Sequence, residues 1–163
     1  MPDFRDFKSL EKYLQRELQN NLNEIIKEIK EDVKEYIMEN LYNAYDPNQY
    51  ERSFEFLESV SVYKARQTES GISAIVYFDT DKINAVGMSG RFNQHMSVDG
   101  KDVSDYIPQW LEEGTQARRN NIFPRDGIYS MENVKKDWEL NGKHVKKLQQ
   151  LFRNKGIHLE FTR

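Results

Sequence analysis

Residues 6–45 read DFKSLEKYLQRELQNNLNEIIKEIKEDVKEYIMENLYNAY, and the fold turns on this stretch. It holds neither glycine nor proline. Its apolar residues Phe7, Leu10, Leu14, Leu18, Leu22, Ile25, Ile29, Val33, Ile37, Leu41 and Ala44 recur in steps of three and four. That spacing lays them along one stripe of a helix, because residues three and four apart share a helical face. The other face is charged: Lys27 and Glu31 stand one turn apart, and Glu24/Lys27 and Glu31/Lys34 stand three apart. Such pairs contribute only about 0.2–0.5 kcal/mol each, so they favour solubility over specificity. At about 1.5 Å per residue the helix reaches roughly 60 Å, more than a compact domain of this size needs to cover itself. Part of it is therefore expected to meet another subunit. Asp46-Pro47-Asn48 ends the helix, since proline disfavours helical geometry in the residue before it and lacks a backbone donor.

Downstream, a short helical segment is expected around 50–57, followed by two strands rich in β-branched and aromatic residues at 60–66 and 72–78, joined as a hairpin through 67–71. Residues 79–104 read as a long loop with Gly87, Gly90 and Gly100, and a loop of that length is usually functional or ordered by a partner. Val103, Ile107, Trp110 and Leu111 have helical spacing in a short helix over 105–114, with Pro108 in the first turn and Gly114 as the stop. Phe123-Pro124-Arg125-Asp126-Gly127 forms a turn. Ser130 is placed to cap a last helix over 130–155, whose apolar set is Met131, Val134, Trp138, Val145, Leu148, Leu151 and Phe152. Gly142 marks a break in it, because glycine costs roughly 1 kcal/mol against alanine in a helix interior. Ile157, Leu159 and Phe161 alternate with His158 and Glu160, which predicts a closing edge strand over 157–161. The expectation is an α+β fold over a single domain, 1–163. Its parts are a long N-terminal helix, a small antiparallel sheet with a hairpin (60–78) and a C-terminal edge strand, a short Trp-bearing helix and a C-terminal helix. The core joins the long helix to the hairpin and to the short helix carrying Trp110.

The composition fits one folded unit. Apolar residues make up 37% and charged residues 31% of 163, with nine Phe, nine Tyr and two Trp, too aromatic for bulk disorder. There is no cysteine, which excludes disulfides and thiolate metal sites and agrees with a reducing cytoplasm. No apolar run approaches bilayer length, and Met1-Pro2-Asp3-Phe4-Arg5-Asp6 lacks the apolar segment of a signal peptide, so neither membrane insertion nor export is expected. The net charge of −3 conceals an asymmetry. Residues 1–81 carry 10 basic against 17 acidic groups, residues 82–163 carry 14 against 10, and 118–155 alone carry 10 against 4. Arg118, Arg119, Lys135, Lys136, Lys143, Lys146 and Lys147 form the candidate basic surface. It faces nucleic acid, an acidic neighbour or plain solvent. Asp126, Glu132, Asp137 and Glu139 interleave with it, which weakens a DNA-readout reading.

Chemistry-bearing constellations are sparse. His95, His144 and His158 are far apart and have no close metal-ligand spacing. Asp79 and Asp81 end a strand, as carboxylates of some metal-dependent nucleases do, but strand-ending aspartates are more often turn formers. Neither Gly-x-Gly-x-x-Gly nor Gly-Lys-Ser/Thr occurs, so no phosphate loop is encoded. No catalytic, cofactor or metal residue is assigned, and the expectation is a protein that is not an enzyme. The competing classes are a metal-dependent nucleic-acid enzyme using Asp79 and Asp81, and a small DNA-binding regulator using the basic C-terminal helix.

Two short segments carry a resemblance. Tyr50-x-Arg52-Ser53-x-x-x-Leu57-x-Ser59, after a long N-terminal helix and before a hairpin, and Ile107-Pro108-x-Trp110-Leu111-Glu112-x-Gly114-Thr115 resemble, in this order, the tail-completion or head-to-tail joining (neck) proteins of long-tailed bacteriophages. The resemblance covers about 10–155. It departs from the family in the length of 79–104 and in a proline-rich ending reduced to Phe123-Pro124. It implies a structural virion protein, made in the bacterial cytoplasm and resident in the neck. That protein would form a homo-oligomeric ring, closed in some cases only on docking, between the head connector or stopper and the tail tube or terminator. DNA passes through its lumen, and no cofactor or membrane is involved. Tyr50, Arg52, Ser53, Leu57, Ser59, Ile107, Trp110, Glu112, Gly114 and Thr115 are its candidate motif and interface residues.

Overall fold

The computed structural model describes residues 6–44, 54–69, 71–83, 104–115 and 125–160. In chain order these form α1 (Phe7–Ile37), a π-helical turn (Met38–Tyr42), α2 (Glu55–Ser59), β1 (Val60–Thr68), β2 (Gly71–Phe78) and a 3-10 turn (Thr80–Lys82). A second 3-10 turn (Ser104–Tyr106) leads into α3 (Ile107–Glu113), β3 (Gly114–Thr115), β4 (Arg125–Asp126), α4 (Ser130–Leu140) and α5 (Lys143–Asn154). The architecture is α+β: a long N-terminal helix, a two-stranded antiparallel β1–β2 hairpin and C-terminal helices. No helix among the described residues is long and apolar enough to cross a membrane.

The long helix forms where its apolar stripe placed it. Asp6 opens it, its carboxylate accepting the Ser9 amide at 2.7 Å. The wider π turn replaces the last stretch of the expected helix, and Asn43 closes it through a bond to the Met38 carbonyl. Residues 45–53 and 84–103 lie outside the described residues. With them lie the expected Pro47 stop, the first part of the 50–57 segment and most of the 79–104 loop.

Contacts gather into two compact units. The first takes 1–31, 62–76 and 135–163. Ile25, Ile26, Ala65, Trp138 and Phe152 are buried in it, together with Glu17 and Asn21. Side chains of α1 fasten β1 here: Gln19 Nε2 donates to the Ala65 carbonyl at 2.6 Å, and the Ala65 amide donates to Asn23 Oδ1 at 2.7 Å. The expected break in the last helix is real, with Gly142 in the left-handed region at φ 58° between α4 and α5. Gly156, at φ 75°, ends α5.

The second unit takes 32–61 and 77–134. Val33, Ile37, Leu41, Phe56, Val60, Ile83, Ile128 and Val134 form its buried set. Phe56 stacks on Phe78 with ring centroids 4.8 Å apart, and the Asp79 amide donates to the Ser59 carbonyl at 2.8 Å.

Two expectations are corrected. Residues 157–160 form no strand: the amide of Ile157 bonds the Phe152 carbonyl, and the carbonyl of Leu159 accepts from Gln149 at 3.4 Å, so the segment follows the end of α5 and joins no ladder. Their alternation survives in burial, with Ile157 and Leu159 half-buried and His158 and Glu160 exposed. Trp110 is not core. It is 41% exposed, whereas Trp138 is 6% exposed.

Candidate functional site

The segment 107–115 is held in place by residues 125–131, later in the chain. α3 starts with Pro108 in its first turn, where a missing donor costs little, and Pro108 is buried. At its end Gly114 adopts φ 85° and pairs with Asp126, and Thr115 pairs with Arg125 in the two-rung β3–β4 ladder. The ladder continues as backbone bonds: Ile128 donates to the Leu111 carbonyl and Tyr129 to the Glu112 carbonyl, both at 3.0 Å. Gly127 is wedged into this junction. A Cβ there would strike the Glu112 carbonyl oxygen and lie 2.8 Å from Glu113 Cα, so only glycine fits.

Glu112 occupies the centre. One carboxylate oxygen, Oε1, accepts the Ser130 amide at 3.1 Å and the Ser130 hydroxyl, and Oε2 accepts the Met131 amide at 3.1 Å. The first amides of a helix have no intrahelical partner and carry the positive end of its dipole, so a carboxylate placed there satisfies them and is stabilised by the field. The sequence pattern predicts that Ser130 caps α4 itself. It is instead the first residue of the helix, fully buried, and its hydroxyl is a donor to the cap. With three donors converging on it, the Glu112 carboxylate is a structural anchor.

Around that anchor lie exposed aromatics. Tyr106 (55% exposed) stacks on Trp110 with ring centroids 6.0 Å apart, and Tyr129, at φ 50°, is 44% exposed and donates its hydroxyl to the Glu113 carbonyl at 3.3 Å. Sequence reading missed Tyr106, although it stands four residues before Trp110, the spacing at which helical side chains meet.

Of the other motif residues, Ser59 is fully buried and donates to the Phe56 carbonyl at 2.6 Å, while Leu57 and Ile107 are half-buried. Tyr50, Arg52 and Ser53 lie outside the described residues, as do Arg118 and Arg119 of the basic surface. Asp79 pairs with Lys82 at 3.3 Å, Lys82 also reaches the Ser61 hydroxyl at 2.6 Å, and Asp81 is exposed. Among the described residues no group of three or more His, Asp or Glu is placed to hold a metal ion.

The basic surface is less positive than its composition suggests. Lys143 pairs with Asp137, Lys135 with Glu139 at 3.8 Å, and Lys147 with Glu28 at 2.5 Å; Lys136 and Lys146 are exposed. The Lys143 ammonium first, and after it the Asn141 amide, holds the Asp137 carboxyl below its usual range against the opposing effect of desolvation. Sequence reading also missed a buried polar group in the first unit: Lys155 Nζ donates to Glu17 and, at 3.1 Å, to Asn21 Oδ1, and Asn21 Nδ2 has no partner among the described residues.

Fold and site define an α+β protein whose Glu112-centred polar cluster fixes backbone and helix ends and leaves an aromatic pair outside. The chain belongs to the YomN family: the family model, described as YomN, matches residues 6–154. That family is phage-associated. No curated protein and no solved structure gives a match.

Proposed function

We propose that this protein is a structural virion assembly protein of a phage neck, one subunit of a homo-oligomeric ring that joins the head connector to the tail. The observation that carries the reading is the construction of 107–115, the segment that resembles neck proteins. Its Glu112 fixes the segment rigidly against the start of α4, while its Trp110, stacked on Tyr106, is presented outward. A rigid aromatic pair held at a surface suits a contact with another protein, because aromatic anchors supply large apolar area at little cost in side-chain freedom. Membership of a phage-associated family supports the same reading.

In this reading the subunit binds further copies of itself, the connector or stopper above and the tail tube or terminator below, and DNA only passes through the lumen. The ion pairs that neutralise Lys135, Lys143 and Lys147 suit a surface of mixed charge more than a phosphate-binding one. The test is made in the particle. Reconstructed necks are expected to contain a ring of this chain, and heads from phage lacking it are expected to remain unjoined to tails. Functional tails on such heads would refute the proposal.

A further inference from the structure

The two strands of the β1–β2 hairpin are guarded unequally. β1 carries Lys64 and Arg66, and the backbone of Ala65 is already engaged on the side away from β2, by Asn23 and Gln19. β2 reads Gly-Ile-Ser-Ala-Ile-Val-Tyr-Phe, with no charge and no proline. Among the described residues its sole strand partner is β1, and its Ile75 is 46% exposed. An uncharged, apolar edge that no described strand covers is what natural sheets avoid unless a strand is meant to pair there, and a two-stranded hairpin alone is marginal in water.

The first unit also ends in a segment with the matching pattern. After α5 stops at Gly156, residues 157–160 form neither helix nor strand. They nevertheless keep a period of two in burial, Ile157 and Leu159 turned in and His158 and Glu160 out, and Phe161 continues the alternation in sequence. That is the pattern of a strand with one covered face.

We propose that this tail adds as a third strand to the open edge of β2 in a second copy of the chain. Main-chain hydrogen bonds supply the affinity, and the alternate side chains Ile157 and Leu159 supply the specificity. Donor and acceptor are different surfaces, so the contact is head-to-tail and closes into a ring when its rotation allows. The inference rests on the neck-ring reading for its setting and gives that ring its contact.

The test is a titration of the full-length, isotope-labelled chain with a synthetic peptide of residues 156–163, followed by amide NMR up to about 1 mM. Saturable shifts on the β2 amides of 71–76 are expected. Binding should weaken roughly tenfold or more, about 1.4 kcal/mol, for a peptide carrying Leu159→Pro and for a chain carrying Ile75→Lys, whose exposed site leaves the fold intact. No change on β2, or equal binding by the Leu159→Pro peptide, would overturn the inference. Because the chain has no cysteine, a second measurement is direct: Ile75→Cys and Leu159→Cys chains mixed under oxidation should give a mixed disulfide dimer above the yield of a Ser73→Cys and Lys12→Cys control pair. A yield equal to the control would also overturn it. Both measurements work without a particle. A negative result therefore removes the strand contact and leaves the neck ring standing, while tails joined to heads without this chain would remove the neck ring and leave the strand contact standing.

Discussion

Glu112 caps a helix that it does not belong to: its carboxylate, on α3, receives the amide and hydroxyl of Ser130 and the amide of Met131 at the start of α4. A helix end that takes its acceptor from elsewhere in the chain ties two elements together with the same bonds that satisfy its own amides. Glu112→Ala removes the acceptor for three donors, of which the Ser130 hydroxyl sits on a fully buried residue. The expected loss is about 2–3 kcal/mol, above an ordinary exposed cap because the bonds are charge-assisted and partly buried. Glu112→Gln keeps one acceptor oxygen and should lose less. Urea midpoints at constant slope measure both, and equal stability of wild type and Glu112→Ala would mean that the amides of α4 find another acceptor.

The two tryptophans make opposite predictions. Trp138→Ala empties a site that is 6% exposed and should cost about 3–5 kcal/mol, the range for a buried large aromatic. Trp110→Ala removes a ring that is 41% exposed and stacks on Tyr106, so its cost should stay well below that of Trp138→Ala, at about 1–2 kcal/mol. Its effect should appear in assembly. Tryptophan fluorescence separates the two without denaturation: the Trp138→Ala chain, left with Trp110, should be red-shifted and quenched by acrylamide, and the Trp110→Ala chain should be neither.

These contrasts show where the sequence is readable. The stripe from Phe7 to Leu41 specifies α1 because a helix writes its buried face into the spacing of its own residues, and Gly142 announces the α4–α5 break because only its backbone takes φ 58° without strain. Spacing also finds the helix of Trp110, but spacing states which residues share a face and not whether that face is covered, so it places Trp110 wrongly in the core. The role of Glu112 leaves no local signal, since its partners begin 18 residues later and Ser130 resembles a cap in its own right. At 157–160 the alternation is legible and the missing ladder is not, because a strand depends on a neighbour that its own sequence does not contain.

Asp137 gives a pH dependence with a definite sign. Hydrogen bonding from Lys143 first, and from Asn141, lowers its pKa in the folded chain below the ordinary value of 3.8. A carboxyl depressed on folding contributes stability that is fully present above its unfolded value and is lost as pH falls through the folded one. Wild type and Asp137→Asn should therefore differ most above about pH 4 and converge in stronger acid. The group is 46% exposed, so the difference should be small and should shrink further in 1 M salt. Stability measured against pH at two salt concentrations checks this, and a gap that widens in acid would reverse the assignment.

The last prediction concerns the buried amide of Asn21. Its side chain is fully buried, its Oδ1 accepts from Lys155 at 3.1 Å, and its Nδ2 has no partner among the described residues. A buried donor without an acceptor costs about 1–3 kcal/mol, comparable to what the bond from Lys155 contributes. Asn21→Leu, with the same number and branching of side-chain heavy atoms but a larger volume, discards both at once, and Lys155 keeps its pairing with Glu17. The variant should lie within about 1 kcal/mol of wild type or above it. Glu17→Leu does the opposite: it takes the charged partner from Lys155 and leaves the orphaned donor in place, and it should lose about 1–3 kcal/mol, less than for a fully buried pair because the Lys155 side chain is 33% exposed. Replacing Lys155 by leucine in the Glu17→Leu background should then recover part of that loss. Chemical denaturation of the three variants decides the matter, and a fall of more than about 2 kcal/mol in Asn21→Leu alone would overturn the prediction, through overpacking by the larger side chain or loss of an ordered water at Nδ2.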